Sequence, residues 1–329
     1  MNIIGVNAGN GVMVHPFKED LIFNIETRSI YNTPNDIQWR LNFDCTLIKK
    51  FVTLPDIDVD VAIGHPDCGH SSMMSLTRIK QFTDPRKNES LMSFFTIINS
   101  YKPKIWLMEN LPKLLETISV ENLKQLFPDY RFFIHIGSVS DFGNSQITRK
   151  RLIIIGIRDD LRKFKKYIEV YRVNEPKKTK WLLKDLPFDG YIKEDLKEII
   201  TLYAGYKLPL SEIKEKWLTE FKGESRWKVI GRNFSTAPGV YRNLANRFPA
   251  TARKQNRQFN PEGEQMSARE LARIQGIPDT FNIWFDENKI KTSINKGRVT
   301  VTKCPPYEIG LWFKDIINKL MEKGFFTRA

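Results

Sequence analysis

Six short apolar runs, most of them ending in a small, polar or acidic residue, constrain this chain more than any other feature. They are "NIIGVNAG" near the N-terminus, "LIFNIE" ending at Glu26, "DVDVAIG", "KIWLMEN" with Glu109, "YRFFIHIGSV" and "RLIIIGIR". Runs that are apolar throughout predict strands covered on both faces, as in a parallel sheet. Between them, "ESLMSFFTIINSY" and "VENLKQLF" carry apolar residues at helical spacing, and "SIYNTPNDIQWRLNF" turns helical in its later part. Strand alternating with helix implies a doubly wound α/β sheet. Ligands of such sheets sit beyond the carboxyl ends of the strands, where Gly9, Glu26, Cys68 and Glu109 fall.

The rhythm breaks after about residue 160. A polar, turn-rich stretch, "VNEPKKTKWLLKDLPFDG", leads into a basic, aromatic and irregular region. "SARELARIQGIPDTF" then predicts a helix capped by Ser267, with Glu270 three residues on and a stop at Gly276-Ile277-Pro278. "PYEIGLWFKDIINKLMEKGF" predicts a long amphipathic helix at the end of the chain. The expected organisation is a first domain from 1–160 and 295–329, and a second, smaller one from 161–294.

The net charge of +14 favours a polyanionic partner, above all nucleic acid. Basic residues gather from Arg162 to Lys184 and from Lys222 to Arg257, with Trp217, Phe221, Trp227, Phe234, Tyr241 and Phe259 in or beside them. Such interleaving suits a surface that meets phosphates and bases; a generally lysine-rich protein is the plainer reading. No stretch approaches the roughly 20 apolar residues of a membrane span. The N-terminus lacks the early basic residues and small-residue cleavage site of a signal peptide. Three widely spaced cysteines, Cys45, Cys68 and Cys304, argue for a reducing, cytoplasmic setting.

Several residues at the strand ends carry chemistry. In "NAGNG" (Asn7, Ala8, Gly9, Asn10, Gly11) the glycines let backbone approach a ligand, and Glu26 is placed to accept hydrogen bonds from ribose hydroxyls. A tight turn beside a surface carboxylate accounts for the same residues. Cys68 in "GHPDCGHSS" has three readings: a buried inert thiol, a nucleophile, or a metal ligand with His65, Asp67 and His70. One short loop rarely aims four ligands at a point, so metal is the weakest. Glu109 offers a nucleophile its partner, a carboxylic acid if its pKa is raised; alternatively it caps the next helix with Asn110. Arg149 and Arg151 fall on one side if the strand of "QITRKRLIIIG" begins there, and arginines entering an apolar strand usually meet an anion or a carbonyl.

In this order the pieces resemble the DNA cytosine-5 methyltransferases. "NAGNG" looks like the family's Phe-Ala-Gly-x-Gly, "IGHPDCGHSS" like its Pro-Cys loop, and "TDPRKNESLMSFFTIINSYKPKIWLMENLPKLL" like its Asp-x-Arg-x-x-Leu, helix, Lys-Pro and Glu-Asn-Val. "DFGNSQITRKRLIIIGIR" resembles the Gln-x-Arg-x-Arg strand, with one residue more, and "MSARELARIQGIPDTF" the Arg-Glu-x-Ala-Arg-x-Gln-Gly segment. The resemblance implies a Rossmann-like S-adenosylmethionine-dependent sheet with a target recognition domain, acting on a cytosine flipped out of double-stranded DNA. It implies that Cys68 attacks C6, Glu109 serves N3, Arg149 meets the base O2 or a nearby phosphate, and Arg151 supports it. Asn7 to Gly11 and Glu26 would hold the cofactor, with Asp44 or Asp56 near the adenine. Asn7 replaces the family's Phe, which removes an apolar contact to the cofactor, and the histidines become loop and phosphate-side residues. An RNA substrate, a different alkyl group and an inactive DNA-binding relative are the alternatives. The expected state is a monomer, without membrane association.

Overall fold

A computed structural model describes residues 1–26, 42–48, 53–68, 88–171, 174–177, 179–183, 268–283 and 301–325. Two compact units divide the chain. Unit 1 comprises Met1–Phe142, Lys150–Val173 and Pro305–Ala329, and unit 2 comprises Gly143–Arg149 and Asn174–Cys304. The divisions at Val173 and Pro305 fall later in the chain than 160 and 295, and the short Gly143–Arg149 stretch groups with the second unit. Most of the basic, aromatic middle, including the second basic cluster and the helical part of "SIYNTPNDIQWRLNF", lies outside the described residues.

Unit 1 is built on a seven-stranded sheet. Its strands are β1 (Ile3–Val6), β2 (Leu21–Ile25), β3 (Thr46–Ile48), β4 (Val61–Gly64), β5 (Ile105–Asn110), β6 (Tyr130–Ser138) and β7 (Lys150–Arg158), in the spatial order β3-β2-β1-β4-β5-β7-β6. The first five strands run parallel, and β7 lies antiparallel between β5 and β6. The order reverses between β1 and β4, the crevice where doubly wound sheets bind ligands. The apolar runs become strands because β1, β4 and β5 are buried along their whole length. Strand β3 has no such run: its three residues are exposed or half-buried, so the sequence carries no signal for it.

Helix α1 (Glu89–Tyr101) follows the sequence expectation, and its ends have local causes. The Asn88 side chain accepts from the Leu91 amide at 3.2 Å, and Lys102, at φ 45, closes the helix in the left-handed region. Helix α2 (Val120–Leu126) opens with a reciprocal box between Ser119 and Asn122. In unit 2 the described helices are α3 (Thr179–Leu183) and α4 (Ala268–Ile274); Ser267, the expected cap of α4, lies outside the described residues. Helix α5 (Tyr307–Glu322) returns to unit 1 and buries Ile309, Trp312, Phe313, Ile316, Ile317 and Leu320. Among the described residues no helix is long and apolar enough to cross a membrane.

Trp106 in β5 lies within a hydrophobic core of unit 1. Its ring is fully buried and packs within 6.2 Å, centroid to centroid, of Phe94, Phe127, Tyr130 and Phe132. Gly156 stands opposite it on β7, and a Cβ there would lie 2.1 Å from the indole. The β5–β7 pairing that positions the site therefore requires glycine at this point. Gly156→Ala is expected to destabilise unit 1 by about 1–3 kcal/mol. Urea denaturation followed by tryptophan fluorescence will show this as a lower midpoint at unchanged slope.

Candidate active site

The loops after β1 and β4 leave the sheet at its switch point, and both are tied to the start of α1. After β1, three residues adopt left-handed backbone: Asn7 (φ 50), Gly9 (φ 59) and Gly11 (φ 77). Asparagine tolerates this conformation better than most residues, and its side chain here gains fixed partners. Asn7 Nδ2 donates to the Ser90 carbonyl at 2.7 Å and to Ser93 Oγ at 2.8 Å. The residue in the family's phenylalanine position thus turns into the protein and anchors the loop on α1. The Gly9 amide donates to Glu26 Oε1 at 2.8 Å, and Asn24 Nδ2 reaches the same oxygen at 3.2 Å.

Among the described residues no atom lies within 4 Å of where a Cβ on Gly9 would be. Backbone from Ala8 to Gly11, flanked by the Glu26 carboxylate at the end of β2, has the shape and hydrogen-bonding groups to accept a nucleoside. Asp44 and Asp56, the candidates for an adenine contact, are exposed.

The loop after β4 holds His65, Pro66, Asp67 and Cys68, and its backbone is pinned at three points. Asn110 Nδ2 donates to the Pro66 carbonyl at 3.0 Å, Asn88 Nδ2 to the Asp67 carbonyl at 2.9 Å, and the Asp67 amide to Ser90 Oγ at 3.0 Å. Sequence reasoning missed Asn88 and Ser90 and read Asn110 only as a helix cap. The hint was their place, next to the start of α1 and the end of β5. Gly64 is also demanded by packing, since a Cβ there would lie 2.3 Å from the Phe94 ring.

Glu109, in the last turnless stretch of β5, is fully buried. Arg151 Nε meets its Oε1 at 2.6 Å, and His65 Nδ1 meets its Oε2. His65 is therefore turned inward onto the carboxylate, which corrects the expectation of a loop or phosphate-side histidine; the metal reading loses it too, and His70 lies outside the described residues. The electrostatics follow from this cluster. Burial opposes charge on His65, but the Glu109 charge and hydrogen bond outweigh it and hold the imidazole above its ordinary pKa. Burial first, and the Glu109 carboxylate second, push the Cys68 thiol up to about 11. Arg151 opposes that rise, and Asp67 adds to it.

Arg149 and Arg151 go to different places. The strand begins at Lys150, after Arg149, so the alternation that would align the two side chains does not apply. Arg149 belongs to unit 2 and is 2% exposed. Its Nη1 donates to Gln146 Oε1 at 2.9 Å and to Gln275 Oε1, and its Nη2 to the Cys304 carbonyl at 2.8 Å. Gln275 in turn donates to the Val301 carbonyl at 3.2 Å. Arg149 thus ties together three distant segments of unit 2, contrary to the expectation of a contact with a base. The extra residue before it leaves Gln146 buried and serving the same purpose.

Comparison with known proteins agrees with this architecture. The family model described as C-5 cytosine-specific DNA methylase matches residues 13–296. Type II methyltransferase M.FnuDI of Fusobacterium nucleatum is 24% identical over 339 residues, covering 94% of this chain and 92% of the relative. Type II methyltransferase M.NgoPII of Neisseria gonorrhoeae is 24% identical over 285 residues, covering 81% and 79%. Among solved structures, a prophage-encoded protein of E. coli named for DNA modification methyltransferase activity superposes with a TM-score of 0.70 at 18% identity, covering 98% of this chain and 99% of its own. The Entamoeba histolytica methyltransferase EhMeth gives 0.61 at 14% identity, covering 98% of each chain. With the family model spanning most of its length, the chain belongs to the C-5 cytosine-specific DNA methylases, enzymes that transfer a methyl group from S-adenosylmethionine to C5 of cytosine in DNA.

Proposed function

We propose that Cys68 is the nucleophile, Glu109 the group that serves cytosine N3, and the loop Asn7–Gly11 with Glu26 the cofactor cradle. The observation that carries this reading is a wholly buried carboxylate close enough to the Cys68 thiol to perturb its ionisation, at the end of the strand next to β4. A buried charge of this kind is costly unless it has work to do or partners to hold it. Cys68 releases its thiol proton to solvent and its Sγ bonds to C6. The ring's electron pair is drawn toward C5 as N3 takes up a proton from the Glu109 side. S-adenosylmethionine, when bound, supplies the methyl group at C5. Loss of the C5 proton to a base and release of Sγ then restore the ring.

Arg151 holds Glu109 and is the arginine of this pocket, while Arg149 serves the framework of unit 2. The substrate is double-stranded DNA with the target base flipped out, unit 2 supplies target recognition, and the protein acts as a monomer in the cytoplasm. The charge of +14 and the basic, aromatic middle support a polymeric nucleic acid over a free nucleotide. The description of the family supports DNA as the nucleic acid, and the Type II names of the curated relatives support a restriction–modification setting.

Duplex DNA carrying 5-fluorocytosine, incubated with S-adenosylmethionine, is expected to trap a covalent protein–DNA complex, because fluorine cannot leave as a proton does. Cys68→Ala abolishes the complex, and the matching RNA duplex gives none. An adduct that survives Cys68→Ala removes the assigned nucleophile.

A thiol held near 11 leaves a thiolate fraction on the order of 10⁻⁴ at neutral pH in the free protein. Alkylation of the Cys68 peptide by iodoacetamide, read by mass spectrometry, should therefore rise about tenfold per pH unit from 7 to 10 without a plateau. Arg151→Met removes a positive charge that lowers the thiol pKa and shifts this profile to higher pH. By contrast, Arg149→Met leaves the profile in place and lowers the stability of unit 2 by about 2–3 kcal/mol, as expected for lost charged hydrogen bonds, measured by differential scanning calorimetry.

A further inference from the structure

Among the described residues Glu109 is paired with Arg151 and His65, and these two differ in one chemical respect. Arg151 meets Oε1 through Nε, and a guanidinium does not give up its proton in a protein. His65 meets Oε2 through Nδ1, and an imidazolium does release its proton near neutral pH. Both oxygens of a fully buried carboxylate are thus engaged, and of these two partners His65 is the one that can hand over a proton. The His65 backbone is fixed between the end of β4 and Pro66, whose carbonyl is held by Asn110. Among the described residues, the charged and titratable groups that bear on the imidazole are Glu109 from β5 and Arg151 from β7; Cys68 and Asp67 stand on the same loop.

We propose that His65 is a positioning residue of the methyl-transfer reaction, storing on Nδ1 the proton that Glu109 passes to cytosine N3. This rests on the assignment of Cys68 and Glu109 above. As Sγ bonds to C6, the Nδ1 proton of His65 moves to Glu109 Oε2 and Glu109 passes a proton on to N3, leaving the carboxylate charged and His65 neutral. When Sγ leaves and the ring is restored, N3 gives its proton back to Glu109, and Glu109 returns one to Nδ1. No proton is gained or lost by the pair over the cycle, and the C5 proton leaves separately to the base. Arg151 stays charged throughout and keeps the carboxylate in place.

The sign of the pH dependence follows. His65 works in its protonated form, so its contribution is complete at low pH and disappears as pH rises through a midpoint above the ordinary 6.5. The test uses the full-length protein, tritiated S-adenosylmethionine and unmethylated mixed-sequence duplex DNA, in single-turnover reactions from pH 6 to 9. His65→Gln keeps a hydrogen-bonding side chain at this position but cannot ionise. In the wild type the rise of rate with pH that Cys68 ionisation brings is expected to level off above the His65 midpoint; His65→Gln is expected to lower the rate by about 10²-fold, the lower range for loss of an acid–base group, and to remove that inflection. Binding of S-adenosylmethionine, by calorimetry, should change by less than about twofold, since His65 lies outside the proposed cofactor loop. A variant rate within about twofold of wild type with the same pH profile overturns the proposal. A measurement on the wild type needs no variant to fold: with four histidines in the chain, the His65 imidazole can be titrated by NMR, and a midpoint at or below 6.5 also overturns it. If the wild type neither methylates DNA nor traps 5-fluorocytosine, the assignment of the site fails. If it does both and His65→Gln matches it, only the role of His65 fails.

Discussion

The site depends on keeping one charge-bearing group out of water. Glu109 has no solvent exposure, and a lone carboxylate in such a place would be strongly disfavoured. The sheet solves this through strand direction. Strand β4 runs parallel to β5, so the loop that follows it emerges beside the end of β5 and delivers His65. Strand β7 runs antiparallel to β5, so its first residues, and not its last, lie at that same end and deliver Arg151. Had β7 been parallel, Arg151 would lie at the far edge of the sheet. The single reversal of direction is what makes a buried acid tolerable there.

A second economy is the start of α1. Ser90 accepts from Asn7 through its carbonyl and from the Asp67 amide through its hydroxyl, and Asn88 holds the Asp67 carbonyl while capping the helix. One helical turn thus fixes the loop after β1 and the loop after β4 relative to each other. These loops are the proposed cofactor and nucleophile segments, whose reacting atoms must be held in register for transfer. The departure of Asn7 from the family's phenylalanine makes sense in this light. Its gain is a pair of hydrogen bonds to α1 in place of an apolar surface.

Much of the fold was legible because burial on both faces writes a continuous apolar run into the sequence, as in β1, β4 and β5. Helix α1 was legible from its spacing. Strand β3 was not, because three partly exposed residues leave no pattern. At the site, Glu109 and Cys68 could be placed at strand ends from their runs alone. The separation of Arg149 from Arg151 was hidden, since alternation predicts a shared side only if the strand has already begun.

By itself, then, the sequence determined the alternating α/β architecture, the strand ends that carry Glu26, Cys68 and Glu109, and a charge suited to nucleic acid, because these follow from local patterning and composition. Only the tertiary structure decided which side chains meet. His65 and Arg151 find Glu109 through the parallel and antiparallel neighbours of β5, while Arg149 is drawn into unit 2 by Gln146, Gln275 and the Cys304 carbonyl. Apart from Gln146, those partners lie far apart along the chain. Contacts of that kind are set by strand order and register, which no local stretch of sequence encodes.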